Sequence, residues 1–243
     1  MTAEHGPEKA VAIIQARMSS NRLPGKVALD IHGKCLLERV IGQVRRARTV
    51  DEIVVATSTS AEDEIVERIC RRLSIDCYRG SLSDVRSRFV AVGRERDAAI
   101  VVRVTADNPL TEPAFIDAIV GALQNDPTMA FAMMAEDRIP DGSQAEAFRM
   151  QALLDTLTWD DADYSREHVT PALRRGRAVR VVEPAAEFDL GDYFVGIDTF
   201  DHYVHINRLF DHYGEGADLL KGLIADVRRE RAEAGRTSAA AAV

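Results

Sequence analysis

The sequence predicts an α/β fold of three layers, in which a mostly parallel sheet is covered by helices on both faces. As far as residue 125, short apolar runs alternate four times with a turn-rich segment and an amphipathic helix, which is typical of parallel sheets. The runs are continuously apolar, as expected for strands buried on both faces. The chain has 243 residues, 46% of them hydrophobic and 29% charged, which is enough to form one large core.

The first half of the chain shows the clearest pattern. Strands are predicted wherever a short apolar run stands between turn formers, over residues 11–14, 53–56, 76–78 and 100–104. Helices are predicted where apolar residues recur every three or four positions, over residues 36–44, 61–73, 85–92 and 113–123. Residues 16–26 and 79–81 contain turn formers and are predicted as a loop and a turn.

Beyond residue 126 the rhythm changes, which predicts a mixed sheet with a small α+β excursion over about residues 135–190. A turn at residues 139–142 would allow strand 146–149 to pair back on strand 129–134. The remaining predicted elements are helices 150–159, 165–173, 199–213 and 217–232 and strands 178–182 and 194–197. We expect one domain over residues 10–234, between a disordered leader (1–9) and a disordered low-complexity tail (235–243).

Composition narrows the class of protein. Thirty-one Lys and Arg against 39 Asp and Glu give a net charge of −8, which argues against a nucleic-acid partner. No apolar run approaches the roughly 18–20 residues that span a bilayer, and no secretory signal is recognisable. The three cysteines, Cys35, Cys70 and Cys77, show no C-x-x-C spacing. We therefore expect reduced thiols and a cytoplasmic protein without a membrane partner.

The loop after the first predicted strand is the most informative segment. Residues 16–26 contain three cations, Arg17, Arg22 and Lys26, and no carboxylate. Ligands bind at the carboxyl ends of strands in open α/β sheets, and loop amides together with cations suit a polyphosphate. The alternative is a solvated basic loop. Neither a Walker A sequence nor G-x-G-x-x-G is present.

Two aspartates, Asp107 and Asp198, each follow an apolar run that is predicted as a strand. If both strands run parallel in one sheet, these carboxylates reach the crevice that the loop also borders. Mg²⁺ takes one or two carboxylates together with substrate phosphates. The alternative role is an N-cap for the helix that follows each aspartate.

Two other acidic patterns are given no role in the site. Asp161 and Asp163 spell the D-x-D of many glycosyltransferases, but they lie in a polar connection between two predicted helices. The acids at positions 62, 63, 64 and 67 are expected on a solvated helix face near its N-terminus.

The order of five motifs resembles that of the cytidylyltransferase family, which includes CMP-sugar synthetases and the SpsF-type spore-coat polysaccharide proteins. The motifs are IQARM (14–18), RLPGK (22–26), VATST (55–59), TADNP (105–109) and REHVTP (166–171). The resemblance covers about residues 11–212. It implies a nucleotide-diphospho-sugar transferase fold, which is Rossmann-like, and a homodimer formed through the excursion. It also implies Mg²⁺-dependent transfer of CMP from CTP to a sugar acid or related small acceptor, with release of pyrophosphate.

The resemblance also implies roles for individual residues. Arg17, Lys26 and Asp107 would be catalytic, and Asp107 and Asp198 would hold the metal. The acceptor would contact Asp141, Glu146, Arg166 and His168. For Arg166 and His168, which lie at the start of a predicted helix, helix capping and salt bridging are the alternative roles. The nucleotide would contact a larger set: Gln15, Ala16, Arg17, Met18, Lys26, Thr57, Ser58, Arg79, Gly80, Ser81, Thr105 and Asp107.

The acceptor half departs from the family pattern. Residues 141–146 read DGSQAE where D-G-x-D-x-E is usual, and residues 197–202 read IDTFDH where V-D-T-P-E-D is usual. These differences leave the identity of the acceptor open. A glycosyltransferase that uses a sugar nucleotide and a non-catalytic nucleotide-binding protein are the alternative functions.

Overall fold

The computed structural model describes residues 8–215 and 218–241. The strands within them are β1 (Ala10–Gln15), β2 (Asp30–Ile31), β3 (Lys34–Cys35), β4 (Glu52–Ser58), β5 (Asp76–Gly80), β6 (Ile100–Thr105), β7 (Phe131–Met134), β8 (Glu146–Arg149) and β9 (Val179–Val182). The α-helices are α1 (Leu36–Val44), α2 (Glu64–Arg72), α3 (Val85–Glu95), α4 (Pro113–Asn125), α5 (Met150–Thr156), α6 (Asp163–His168), α7 (Pro171–Arg174), α8 (Phe200–Tyr213) and α9 (Leu219–Ala241).

Seven strands form one mixed sheet in the order β5-β4-β1-β6-β8-β7-β9. The first four of these are parallel to one another, β8 is antiparallel to both neighbours, and β7 pairs in parallel with β9. Strands β2 and β3 form a separate short hairpin. The predicted α/β fold with a mostly parallel sheet is confirmed.

Strand β1 shows why the fold has three layers. Ala12 and Ile14 belong to the hydrophobic core on one face of the sheet, and Val11 and Ile13 belong to the core on the other. Successive side chains of a strand point to opposite faces, so both faces of a continuously apolar strand must be covered. Helices α1, α4 and α8 supply one cover, and α3 and α5 supply the other.

The segment 135–190 is more closely built into the domain than an excursion implies. Strand β8 pairs back on β7 as predicted, and it also pairs with β6. Strand β9 extends the same sheet beyond β7. Because Ala147 and Phe148 of β8 are fully buried, this segment shares the core of the domain.

The helix predicted over residues 165–173 is interrupted at Val169. The φ angle of Val169 is 68°, and the Thr170 N–H donates to the His168 carbonyl at 2.8 Å, which makes a γ-turn. Helix α7 then begins at Pro171. Proline has no N–H to donate to the fourth carbonyl before it, and it is well placed at the start of a helix, so Pro171 begins a new helix and does not continue α6.

Three further predictions differ from the structure. Residues 194–197 form an isolated bridge between Asp141 and Phe194, and no strand. Arg79 and Gly80 lie within β5 and not in a turn. Helix α9 continues to Ala241, through much of the tail that we expected to be disordered, since alanine has the highest helix propensity.

The predicted disordered leader (1–9) and the last two residues of the tail fall mostly outside the described ranges, which exclude residues 1–7, 216–217 and 242–243. Within those ranges, no helix combines the length and the apolar character needed to cross a bilayer.

Candidate active site

A cavity of 490 Å³ opens at the carboxyl ends of β1 and β6, where ligands bind in open α/β sheets. It brings together residues from the first loop, from the end of β6 and from the second half of the chain. The predicted site residues that line it are Gln15, Ala16, Arg17, Lys26, Thr105, Asp107, Asp141, Glu146, His168 and Asp198.

Lys26 lies at the centre of one group of charges in this cavity. Its Nζ is 2.7 Å from Asp107 Oδ2, 3.1 Å from Asp198 Oδ1 and 2.8 Å from the Ile197 carbonyl oxygen. Arg22 adds a second cation, 2.9 Å from Asp198 Oδ1. We refer to Lys26, Arg22, Asp107 and Asp198 as the Lys26 cluster. Two carboxylates that are far apart in sequence therefore meet at one ammonium group.

Asp198 reaches this position without the strand that we predicted before it. The Ile197 N–H donates to the Asp107 carbonyl at 2.9 Å, so one backbone hydrogen bond joins the two aspartate segments. Neither aspartate caps the helix that follows it. Glu112 caps α4 and Thr199 caps α8, and the capping alternative is therefore wrong for both.

The Lys26 cluster suits a magnesium ion that shares its ligands with a substrate. Within residues 8–215 and 218–241, no group of three or more His, Cys, Asp or Glu side chains is arranged to hold a metal. Asp107 and Asp198 already share one cation, since both bind the Lys26 ammonium. Mg²⁺ needs only one or two carboxylates when phosphate oxygens complete its coordination. The donor set fits that ion.

A second group of charges lies on the other side of the cavity, around Glu146. Its Oε2 is 2.5 Å from Arg103 Nη1, and its Oε1 is 2.6 Å from Arg174 Nε. The Thr170 hydroxyl donates to both oxygens. We refer to Glu146, Arg103, Arg174 and Thr170 as the Glu146 cluster. Burial raises the pKa of Glu146 and the guanidiniums of Arg103 and Arg174 lower it, with a net lowering that keeps this buried carboxyl ionised.

The buried side chain of Asp63 holds the loop that follows β1, residues 16–26, in place. Its carboxylate accepts the Met18 N–H at 2.7 Å and the Ser58 N–H at 3.2 Å, and it also binds the Ser58 hydroxyl. Asp63 is fully buried, so our assignment of this residue to a solvated face was wrong. Met18 and Ser58 support the loop through these bonds and do not line the cavity.

Other predicted nucleotide contacts do not line the cavity. The Arg79 guanidinium donates to the carbonyls of Ser58 and Ser60 and pairs with Glu67. Thr57 is fully buried, and neither Thr57 nor Arg79, Gly80 and Ser81 line the cavity. The structure does not bring these residues together with the Lys26 cluster, and their nucleotide contacts stay predictions.

Helix α6 carries Arg166, Glu167 and His168. The last two line the cavity, and Arg166 does not. His168 lines the cavity and packs against Tyr164, with ring centroids 4.4 Å apart and the ring planes tilted by 50°. Glu167 also lines it and pairs with Arg17 at 3.4 Å. Arg166 instead pairs with Asp161 outside the cavity, which makes it the one predicted acceptor residue that the structure separates from the others.

Three arginines of the cavity wall, Arg88, Arg103 and Arg174, were not predicted as site residues. Arg103 carried a usable signal, because it interrupts the apolar run of β6. A cation in such a run needs a buried partner, and here Glu146 on the neighbouring strand β8 is directly opposite. Arg88 and Arg174 lie among other helical arginines, and nothing in the sequence sets them apart.

Comparisons with known proteins agree with this architecture. Residues 11–216 match the profile of the cytidylyltransferase family. SpsF of Bacillus subtilis (strain 168), a spore coat polysaccharide biosynthesis protein, is 32% identical over 216 residues, which are 85% of this chain and 88% of that protein. The structure of a cytidylyltransferase from Leptospira borgpetersenii serovar Hardjo-bovis (strain JB197) has a TM-score of 0.82 at 25% identity, covering 93% of this chain and 96% of that one.

A CMP:2-keto-3-deoxy-manno-octonic acid synthetase, solved in complex with CTP, has a TM-score of 0.68 at 21% identity and covers 84% of this chain and 99% of that one. This likeness shows the shared fold. The family profile covers most of the chain and confirms the resemblance read from the five motifs. The chain belongs to the cytidylyltransferase family and is a nucleotidyltransferase enzyme.

Proposed function

We propose that the protein transfers CMP from CTP to a sugar acid or related small acceptor, and that the reaction depends on Mg²⁺. The observation that carries this proposal is the convergence of Asp107 and Asp198 on Lys26 beside the cation-rich loop. Family membership supports CTP as the donor. A glycosyltransferase is not favoured, because Asp161 and Asp163 of the D-x-D sequence do not line the cavity.

The proposed reaction is an in-line substitution at the α-phosphorus of CTP. The acceptor hydroxyl oxygen forms a bond to this phosphorus, and the bond from phosphorus to the bridging oxygen of the β-phosphate breaks. Pyrophosphate leaves with that electron pair, next to Arg17, Arg22 and Lys26. The hydroxyl proton passes to His168, the one imidazole among the described residues that line the cavity. In such transfers positioning and charge neutralisation supply most of the rate enhancement.

Asp107 and Asp198 would hold the metal. Bound Mg²⁺ supplies neutralisation of the charge on the phosphate oxygens and the attacking oxygen. The Lys26 ammonium lies between these carboxylates in the free protein. If the charge of the two carboxylates were neutralised, the Lys26 ammonium would be able to donate to a phosphate oxygen.

The acceptor end of the cavity is polar. Gln144, which stands where the family usually has an acid, donates from Nε2 to Asp141 Oδ1 at 2.9 Å and accepts the Gly142 N–H at 2.8 Å. Phe194 gives an apolar wall on the same side. These residues suit a hydroxyl-rich acceptor that binds Asp141 through its donors.

Pyrophosphate release from CTP tests this function. The purified protein is incubated with CTP, Mg²⁺ and separate sugar acids, polyols and phosphonates, and ATP and GTP serve as donor controls. We expect release with CTP and one acceptor class only. Release that persists in EDTA contradicts the metal site, and equal release with ATP contradicts the donor assignment. Protein that binds CTP without turnover of any acceptor supports the non-catalytic alternative.

The homodimer implied by the family resemblance also stays a proposal. The segment 135–190 exposes Leu157, Trp159 and Tyr164, and exposed aromatic residues are enriched at protein interfaces. Light scattering should give twice the monomer mass for the native protein. Trp159→Asp should shift the mass toward the monomer, and an unshifted mass excludes this surface as the interface.

A further inference from the structure

His202 lies in the first turn of α8 and binds the backbone of Asp198. The Asp198 N–H donates to His202 Nδ1 at 3.3 Å, so this ring nitrogen is a hydrogen-bond acceptor and carries no proton. His202 is half-buried and does not line the cavity. The imidazole therefore meets the Lys26 cluster through the backbone of Asp198.

This hydrogen bond fixes a peptide unit that also binds Lys26. The Ile197 carbonyl accepts from Lys26 Nζ at 2.8 Å, and the N–H of the same peptide unit is the one that His202 accepts. Because a trans peptide unit is planar, its C=O and N–H point in opposite directions and turn together. Without the acceptor at His202 this plane would be free to turn. The Ile197 carbonyl would then move away from Lys26, and the carboxylate of Asp198 would shift with it.

The position of His202 in the helix explains the contact. Thr199 caps α8 by accepting the His202 N–H at 3.3 Å, which makes His202 the third residue of the helix. A side chain at this position commonly reaches back to accept an N–H at the start of the helix. Residues 197–202 read IDTFDH where the family usually has V-D-T-P-E-D, so an imidazole stands where an acid is usual. It supplies an acceptor without a further negative charge beside Asp198.

The imidazole ring also packs against the wall of the cavity. Its centroid is 4.5 Å from that of the Phe194 ring, and the two planes are tilted by 47°. Phe194 lines the cavity. A Cβ atom at Gly196 would lie 2.8 Å from Phe194 Cζ, so the glycine leaves room for this ring. His202 therefore has two contacts that can be removed separately, the hydrogen bond at Nδ1 and the ring contact with Phe194.

We propose that His202 is a positioning residue, which holds the carboxylate of Asp198 in the Lys26 cluster through the Asp198 N–H. This inference rests on the proposed function, in which Asp198 would hold the metal. Side chains that orient metal-binding residues contribute to metal affinity, although they do not touch the ion. A residue that only capped α8 would contribute to stability and not to metal affinity.

The test compares two variants, each of which keeps one contact of His202. His202→Asn places an acceptor oxygen near the position of Nδ1 and removes the ring. His202→Phe keeps a ring against Phe194 and removes the hydrogen-bond acceptor. His212→Phe is the matched control, since His212 lies near the other end of α8 and does not line the cavity.

Three measurements are made on the full chain without an acceptor substrate. Calorimetry measures the binding of CTP. Water-proton relaxation enhancement by Mn²⁺ in the presence of CTP measures metal binding, and thermal unfolding measures stability.

His202→Phe should weaken the binding of Mn²⁺ about tenfold, the lower end of the range for side chains that orient metal-binding residues. His202→Asn and His212→Phe should keep the wild-type affinity for Mn²⁺. The unfolding temperatures of the three variants should lie close together. If His202→Phe does not fold, His202→Ala serves instead and should give the same loss, because it also lacks the hydrogen-bond acceptor.

Each other outcome overturns the inference. Wild-type Mn²⁺ affinity in His202→Phe makes His202 a helix cap at most and leaves the proposed function standing. Equal losses in His202→Phe and His202→Asn assign the effect to the fit of the side chain and not to the hydrogen bond. Wild-type protein that binds CTP but no Mn²⁺ overturns the metal site together with this inference, and wild-type protein that does not bind CTP overturns the proposed function.

Discussion

The Lys26 cluster and the Glu146 cluster share one cavity and use the same kinds of side chain, but they differ in how their acceptors are filled. Both oxygens of Glu146 are bound by protein donors, and its side chain is 4% exposed. Asp107 and Asp198 share the Lys26 ammonium, Asp198 has only the exposed Arg22 as a second partner cation, and the two carboxylates are 30% and 22% exposed. A saturated, buried carboxylate holds a fold together, whereas an accessible pair that shares one cation is suited to exchange it for another ligand.

The largest effect on turnover is expected when a carboxylate is removed from the Lys26 cluster. Asp107→Asn and Asp198→Asn should each lower turnover by at least about 10²–10³-fold, as expected when preorganised charge stabilisation is lost. The double variant should be scarcely worse than either single one, because residues that act as a unit are not additive. Pyrophosphate release measures the effect, and thermal unfolding within a few degrees of wild type is the control. Substantial turnover in either single variant contradicts a shared metal site.

The same change in the Glu146 cluster should act on stability. Glu146→Ala leaves the guanidiniums of Arg103 and Arg174 without their counter-charge, and breaking a buried pair in this way costs about 3–5 kcal/mol of unfolding free energy. Denaturant titration measures it. A loss below about 1 kcal/mol with abolished turnover would instead assign Glu146 to the acceptor, as the family resemblance implied.

The effect of replacing Lys26 should lie between the loss of turnover expected for the aspartates and the loss of stability expected for Glu146. Lys26 pairs with Asp107 and Asp198 in the free protein, and it would contact a phosphate in the proposed complex. Lys26→Met should lower turnover by about 1.5–3 kcal/mol in transition-state free energy, the range for hydrogen bonds from charged groups. It should also weaken CTP binding, as measured by calorimetry. Lys26→Arg, which keeps the charge, is the matched control. Wild-type affinity and turnover in Lys26→Met would remove the loop from the site.

The contribution of Glu146 to the free energy of unfolding should depend on pH. The pKa of Glu146 is lowered in the folded protein, so its ionised form adds stability above the pKa of the unfolded chain. That contribution is lost as the pH falls through the folded-state pKa. The difference in unfolding free energy between wild type and Glu146→Gln should therefore shrink in acid. A difference that grows as the pH falls contradicts the assigned charge state.

The smallest effect is expected at the D-x-D sequence. Asp161 pairs with Arg166 at the surface, and surface substitutions usually change stability by no more than about 0.5 kcal/mol. Asp161→Asn should keep full turnover and stability. A loss of turnover comparable with that of Asp107→Asn would reopen the glycosyltransferase alternative.

The contrast between the clusters also explains how far the sequence could take the prediction. The strands of the parallel half were recognisable because each is a continuous apolar run, and Asp107 could be placed since it directly follows one. Asp198 was placed correctly for a wrong reason. Its position depends on the hydrogen bond from Ile197 to the Asp107 carbonyl, and no local pattern encodes a bond between segments so far apart.

Partner choice was harder to foresee than position. Asp63 lies in an acidic sequence that is typical of the solvated start of a helix. In the structure it is fully buried and accepts hydrogen bonds from the N–H groups of Met18 and Ser58. Glu146 was correctly placed at the cavity, but its saturation by Arg103, Arg174 and Thr170 arises from strands and helices that meet only in the fold. Sequence spacing shows which residues gather at an edge and not which of them satisfy one another.

The γ-turn at Val169 has a consequence for attempts to make this enzyme more heat-resistant. A buried, β-branched residue at positive φ stores about 1–3 kcal/mol of backbone strain, and the turn directs His168 to the cavity and Thr170 to Glu146. Directed evolution that screens for residual fold after heating, without an activity screen, should therefore accumulate changes that relax this turn. The surviving variants would be more thermostable, but their His168 would no longer be held at the cavity.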